Sequence, residues 1–310
     1  MNAVRQASYL MEEEKHLLRA LLYFDIFDYP LTAEEIVQFS SATLFASRQA
    51  LERLTAQGII FRFQDFYSLQ NNPGLVTRRL NGNALAEQKM KTAKKFSKLV
   101  SLFPFVRAVM LSGSISKGYM DEKSDIDYFI ITEANRLWMV RTSLAVFRRI
   151  FLFNSHRNLC TNYFIDSQHL EIGEKNIFTA IELGTTKPMF GGSAIEQFQN
   201  ANAWTQVYLP NLNLNTDKAA EPRLPLKRAI EKMFSFKMID RVNRWLMNKT
   251  ISHWRRRYGR GMDNADFEIA FRSTTGVSKS HPQFYQKKVL SRFAEKIRNF
   301  QTQNGIDLSL

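Results

Sequence analysis

The stretch Leu111-Ser112-Gly113-Ser114-Ile115-Ser116-Lys117-Gly118-Tyr119-Met120-Asp121-Glu122-Lys123-Ser124-Asp125-Ile126-Asp127-Tyr128-Phe129-Ile130-Ile131-Thr132 decides the reading of this chain. It follows the short apolar run Val106–Leu111, which reads as a strand. A Gly-Ser turn comes next, and a second strand is expected from Asp125 to Thr132. Gly113 carries no side chain, so its backbone can approach a phosphate closely, and Ser114 adds a hydroxyl donor. A helix beginning near Ile115 would aim free N–H groups at the same anion. Lys117 is placed to neutralise a β- or γ-phosphate. Residues two apart on a strand share a face, so Asp125 and Asp127 are expected to project together while Ile126 turns into the core. Two carboxylates on one face suit Mg²⁺, which keeps waters and binds substrate phosphates. A pair of such ions roughly 4 Å apart would stabilise the attacking and leaving oxygens together. Gly-Ser alone and Asp-x-Asp alone are weak signals. The combination is stronger, because each half abuts an apolar strand at the correct end.

Outward from this window, the helix expected over 136–153 and a third strand over Leu159–Ile165 complete a small mixed sheet with helices packed on it. Residues 84–100 read as a connecting helix with its lysines outward. Arg141 and Arg148, seven apart, share a helix face, where they would reach a triphosphate or, the preferred reading, form the helix's solvated edge. Upstream, Leu17, Leu18, Leu21, Leu22 and Ile26 fall at helical spacing and Pro30 ends that helix. Thr32 and Glu35 form a capping-box pattern, and Ser47–Gln57 is a further helix closed by Gly58. Ile59–Phe63 and Phe66–Leu69 flank Gln64-Asp65 as a hairpin. Three helices and a hairpin follow the order of a winged helix. Gly191-Gly192 and Pro210–Pro225 are the candidate linkers, and amphipathic helices are expected beyond them, with His281-Pro282 as one helix start. The expected organisation is α/β (α+β). A winged-helix-like domain spans 1–80, a small mixed-sheet core 81–200, and a basic, mainly helical region 201–310.

The chain has 310 residues and a formal charge of +14. Residues 1–80 hold eight Lys/Arg against nine Asp/Glu, whereas residues 201–310 hold twenty against nine. A polyanion is therefore expected near the C-terminal third or the helix at Glu87–Lys98, and nucleic acid is one candidate. The net-negative N-terminal segment suits packing or protein contact better than DNA phosphates. Trp254–Arg260 interleaves aromatics with arginines and is read as a helix C-terminus capped by Gly259. The single Cys160 excludes an internal disulfide framework and suits a reducing cytoplasm; it reads as a buried small apolar residue. No run of about 18 apolar residues occurs, so no membrane partner is expected. No histidine has metal-ligand spacing or a local nucleophile to serve.

The Gly113-Ser114 and Ser124-Asp125-Ile126-Asp127 segments resemble the signature of the DNA polymerase β-like nucleotidyltransferase superfamily. The whole chain also resembles a group of bacterial predicted nucleotidyltransferases in which a winged-helix-like segment precedes the catalytic fold. Phe24–Thr32 and Leu159–Ile165 carry that second likeness. The resemblance implies transfer of an NMP from an NTP to a hydroxyl of a small molecule, a protein or an RNA end. Gly113, Ser114 and Lys117 would hold phosphates, and Asp125 and Asp127 would hold two Mg²⁺ ions, with Mn²⁺ as the alternative metal. The superfamily usually supplies a third carboxylate from a later strand. Here that strand offers Asn162, which cannot act as a base, and Asp166 or the remote Glu182 are the candidate substitutes. The alternative reading is a non-catalytic nucleotide sensor whose N-terminal segment contacts a partner or DNA.

Overall fold

A computed structural model describes residues 11–212, 219, 225–234, 236, 238–260, 262–280 and 284–308. The N-terminal elements are α1 (Glu12–Asp25), β1 (Leu31–Thr32), α2 (Ala33–Gln38), α3 (Leu44–Ala56), β2 (Phe61–Phe63) and β3 (Phe66–Ser68). The three strands pair antiparallel in the order β1-β3-β2. The capping box at α2 forms as expected: Glu35 N–H donates to Thr32 Oγ1 at 3.3 Å, and Thr32 N–H donates to Glu35 Oε2 at 2.9 Å. Leu17, Leu18, Leu21, Ile36, Leu51 and Leu54 bury the helical faces that their spacing predicts.

The long helix α4 (Gly74–Ser101) begins ten residues before the expected start, so the boundary expected at 80/81 falls inside one unbroken helix. Arg79 locks this helix to the N-terminal unit. Its guanidinium donates to both Glu35 oxygens at 2.7 Å and lies between the rings of Tyr29 and Phe66.

The core sheet contains β4 (Val106–Ser112), β5 (Asp127–Thr132), β6 (Cys160–Asp166), β7 (Lys187–Phe190) and β8 (Val277–Lys279), in the order β7-β4-β5-β6-β8. Only β5 and β6 are parallel. Their crossover is α6 (Leu137–Phe151), preceded in the chain by the short α5 (Gly113–Ser116). After β6 come α7 (Ile177–Gly184), then β7, α8 (Gly192–Ala201) and α9 (Thr205–Tyr208). The C-terminal region adds α10 (Pro225–Met233), α11 (Met238–Tyr258), α12 (Asn264–Ala270) and α13 (Tyr285–Asn304).

Alternation along the strands sends Val109, Leu111, Tyr128, Ile130 and Phe164 to one face, under α4, α6 and α11. Ala108, Met110, Phe129, Ile131 and Ile165 face the other way and pack against Ile195 and Phe198 of α8. The fold is therefore a mixed α+β core with small sheets and a largely helical C-terminal region. Strand β8, however, returns from that region to close the β6 edge.

Three sequence expectations change. Gly191-Gly192 is not a linker, because it joins β7 directly to α8. Strand β7 contains Pro188 and escaped the sequence reading; it sits at a sheet edge, where a missing N–H is tolerated. Arg141 is not a solvated edge. Its Nη1 is buried without a hydrogen-bond partner and its guanidinium lies 4.7 Å from the Trp254 ring centroid. Burial and the neighbouring Arg148 push it down to about 9. The C-terminus of α11 matches expectation: Gly259 N–H donates to Arg255 O at 3.0 Å, beyond the helix end. Most of the Pro210–Pro225 linker candidate and the His281-Pro282 helix start lie outside the described residues. Among the described residues no helix is long and apolar enough to cross a membrane.

Candidate active site

Strands β4 and β5 form a hairpin-like antiparallel pair in which Ser112 faces Asp127. The chain between them leaves β4 through Gly113, whose φ is +68°, a region that a side chain disfavours. A Cβ on Gly113 would lie 2.6 Å from Asp127 Oδ2. The turn glycine and the second-strand carboxylate are thus pressed together, and only hydrogen at position 113 leaves room. The turn is held internally by Ser116 Oγ, which donates to Gly113 O at 2.8 Å. It is backed by Met120 N–H, which donates to Gly82 O of α4 at 3.1 Å. Ser114 is half-buried beside it. Helix α5 does begin here, at Gly113, but it runs for only four residues.

Asp125 lies two residues before the carboxylate of Asp127 and just outside β5. Ile126 continues the extended backbone between them: its N–H donates to Arg157 O at 3.0 Å, and its C=O accepts from Cys160 N–H at 3.0 Å. Burial pushes the Asp127 carboxyl up to about 7. The negative charges of Asp125 and Glu182 push in the same direction, while Cys160 and Lys117 oppose. Asp125 and Glu182 thus make the surroundings of Asp127 electronegative.

Asn162 occupies the place on the third strand where the resemblance implies an acid. The β5–β6 register slips between Tyr128 and Phe129, leaving Asn162 as the extra residue of a bulge. Its Nδ2 donates to Asp127 Oδ1 at 2.9 Å. The Cys160 thiol donates to Asn162 Oδ1 at 3.2 Å, and burial followed by Asp127 pushes that thiol up. Cys160 is therefore a protonated donor that orients the asparagine, rather than a mere apolar filler or a nucleophile. It also lies 3.8 Å from His156 Nδ1, a Cys–His pairing that sequence spacing did not suggest.

Asp166 is not brought to this cluster. It pairs with Thr132 at the far end of β5, whereas Asp127 pairs with Cys160 at the near end. Its side chain is buried and accepts from Asn135 and Gln168 N–H groups and meets His169 Nδ1 at 2.6 Å, which makes it a turn-holding residue. The strand rise of about 3.3 Å per residue carries it roughly 13 Å from Asn162. Glu182, the remote alternative, does arrive. It projects from α7 and pairs with Lys117 Nζ at 2.8 Å. Lys117 also donates to Gly113 O at 3.2 Å, so it bridges the Gly-Ser turn and α7.

A family model described as the nucleotidyltransferase domain matches residues 89–174. These residues form a nucleotidyltransferase domain. No curated protein and no solved structure matches the chain. The matched segment runs from within α4 through β6 and holds Gly113, Ser114, Lys117, Asp125, Asp127 and Asn162. Glu182 lies outside it, eight residues past its end. Nothing in the sequence near Glu182 marks it, because only the tertiary structure brings α7 to Lys117 and the Gly113 turn. Among the described residues no three His, Cys, Asp or Glu side chains are arranged as a complete metal-ligand set. Asp125 and Asp127 supply two hard oxygen donors, a set that suits an ion completing its shell with water and phosphate oxygens.

Proposed function

We propose that the site transfers an NMP from an NTP to a hydroxyl acceptor with the help of Mg²⁺. The observation that carries this reading is the contact between the Gly113 turn and the Asp127 carboxylate. It sets a place for phosphates at the end of β4 against a place for a cation at the start of β5. Gly113 backbone and the Ser114 hydroxyl would hold phosphate oxygens. Asp125 and Asp127 would hold two Mg²⁺ ions, with Mn²⁺ as the alternative. When bound, these ions neutralise phosphate charge and stabilise the attacking and leaving oxygens. Lys117 would release Glu182 and meet the phosphate tail. Glu182 is then the carboxylate nearest to hand for the acceptor's proton, since Asn162 cannot take it. The acceptor is a small molecule, a protein hydroxyl or an RNA end, and the winged-helix-like N-terminal segment is read as a protein-contact unit rather than a DNA reader.

Titration calorimetry of the protein with each NTP, with and without Mg²⁺, tests the reading. Wild type is expected to bind an NTP only with the metal, and Asp125→Asn is expected to lose that binding. Glu182→Gln should keep it and lose turnover by about a hundredfold, in the range typical of a missing general base. Metal-independent binding, or none, would overturn the proposal.

A pH dependence follows from Asp127. A cation displaces the proton from this carboxyl, so Mg²⁺ affinity rises with pH up to about 7 and levels off above it. Below that point affinity is expected to fall roughly tenfold per pH unit in the fully coupled limit. Calorimetry in two buffers of different ionisation enthalpy reads the released proton directly, and a flat affinity from pH 5.5 to 8 would contradict the assignment.

A second reading is favoured by the Asn162–Asp127 hydrogen bond. An amide in the third position suits a protein that holds a nucleotide without turning it over, and uses the N-terminal segment to contact a partner. Turnover of any NTP with a defined acceptor removes this reading.

A further inference from the structure

Helices α10 and α11 expose apolar side chains. In α10 Lys227 and Glu231 face the protein, whereas Arg228 and Lys232 are exposed. Lys227 is buried and donates to Ser101 O at 2.9 Å and Val106 O at 2.7 Å. Glu231 pairs with Arg107 at 2.8 Å and accepts from Phe105 N–H at 2.6 Å. The apolar residues face out, with Leu226 73% and Met233 59% exposed. The first half of α11 packs Leu246 and Met247 on the core but also exposes a second apolar stripe. Asp240 pairs with Arg136, and buried Asn243 accepts from Trp138 and Met139 N–H groups. Met238 and Trp245 are 70% and 57% exposed, and Val242 lies between them. Positions 238, 242, 245 and 249 fall within one narrow stripe at 100° per residue. Lys249 lies over the Trp245 ring at 5.7 Å. An amphipathic helix in water buries its apolar face, so further apolar side chains left exposed on two consecutive helices point to a partner on the outer side.

Charge identifies the partner. Residues 225–258 hold ten Lys/Arg and two acids, and both acids are consumed in the inward ion pairs. Arg228, Arg241, Arg244 and Lys249 are exposed around the stripe. A second copy of this chain would set one basic face against another, and like charges directly opposed are unfavourable. Single-stranded nucleic acid would use the cations and Trp245 but has no use for exposed Leu, Met and Val side chains. An interface with aliphatic side chains and Trp in the middle and Lys/Arg at the rim fits the surface of an anionic lipid bilayer. We propose that the outer face of α10 and the first half of α11 is a peripheral docking surface for anionic membranes. It lies on the surface without spanning, which is compatible with the absence of a spanning helix among the described residues.

The test is co-sedimentation of the full chain with vesicles of phosphatidylcholine, alone or mixed with phosphatidylglycerol. Binding is expected only with the anionic lipid, weakening with salt and accompanied by a blue shift of tryptophan emission from Trp245. The double variant Met238→Glu/Trp245→Glu changes two solvent-facing residues and is expected to bind at least about tenfold more weakly, from lost apolar insertion and added negative charge. Val207→Glu, equally exposed on α9 away from this face, should bind as wild type does. Equal binding to neutral vesicles, no binding, unchanged binding of the double variant, or an RNA oligonucleotide protecting this face while vesicles do not, would each overturn the proposal.

Discussion

Asp127→Asn is expected to abolish nucleotidyl transfer while making the protein more stable at neutral pH. Both effects come from one buried carboxyl. Its folded value near 7 lies above the ordinary 3.8, chiefly through burial and secondarily through Asp125 and Glu182. Well below pH 3.8 the group is protonated in folded and unfolded chains alike and contributes nothing, and near pH 4 its contribution is still small. As pH rises to about 7 the unfolded chain gives up its proton first, so the folded state is progressively penalised; above 7 the penalty is constant. After discounting for partial solvent access, it is roughly 2 kcal/mol. Asparagine removes it and still accepts from Asn162 Nδ2 through its own oxygen. The melting temperature at pH 8 should rise by roughly 4 °C or more, and the two proteins should melt together near pH 4. Turnover should fall at least about a thousandfold, the loss expected when a metal-holding group is removed and several kcal/mol of transition-state stabilisation go with it. Thermal melts at the two pH values and an NTP-turnover assay check this. A variant that melts lower at every pH, or that still turns over, would contradict the site described above.

Gly113→Ala is expected to damage fold and site together. The residue sits at φ +68°, where an alanine costs about 1 kcal/mol. Its Cβ would also stand 2.6 Å from Asp127 Oδ2, closer than real contacts allow. Relief requires the carboxylate to swing away from the turn and from Asn162, or β4 and β5 to part. The combined loss is roughly 1–3 kcal/mol of stability, within the range for strained backbone positions. Metal-dependent NTP binding should disappear at temperatures where the variant remains folded. Gly58→Ala separates the two causes, since Gly58 has the same φ and nothing within 4 Å of its would-be Cβ. It should show the backbone cost alone and keep NTP binding. Equal behaviour of the two variants in calorimetry would show that the Gly113–Asp127 contact is without consequence.

What the sequence by itself determined is local. The capping box at Thr32 and Glu35, the strand through Val106–Leu111, the Gly113 turn and the β5 run to Thr132 all depend on neighbours within a few residues, and periodicity reports such contacts well. That Gly113-Ser114 and Asp125-x-Asp127 belong to one motif was legible because each half abuts an apolar strand; that Gly113 presses on Asp127 came only with the β4–β5 register. What only the tertiary structure decided is every contact made at long range. Asp166 and Asn162 share a strand and were candidates together, but the parallel register with β5 sends one to the far end and leaves the other against Asp127. Glu182 reaches the site because α7 packs beside the turn, a position that no local pattern encodes. Strand β7 was hidden by Pro188, and its edge position is known only once the sheet order is known. The exposed apolar stripe of α10 and α11 was invisible for the same reason. Spacing identifies an amphipathic helix, but which face meets the protein depends on partners such as Arg107, Arg136 and Trp138, more than a hundred residues away in the chain.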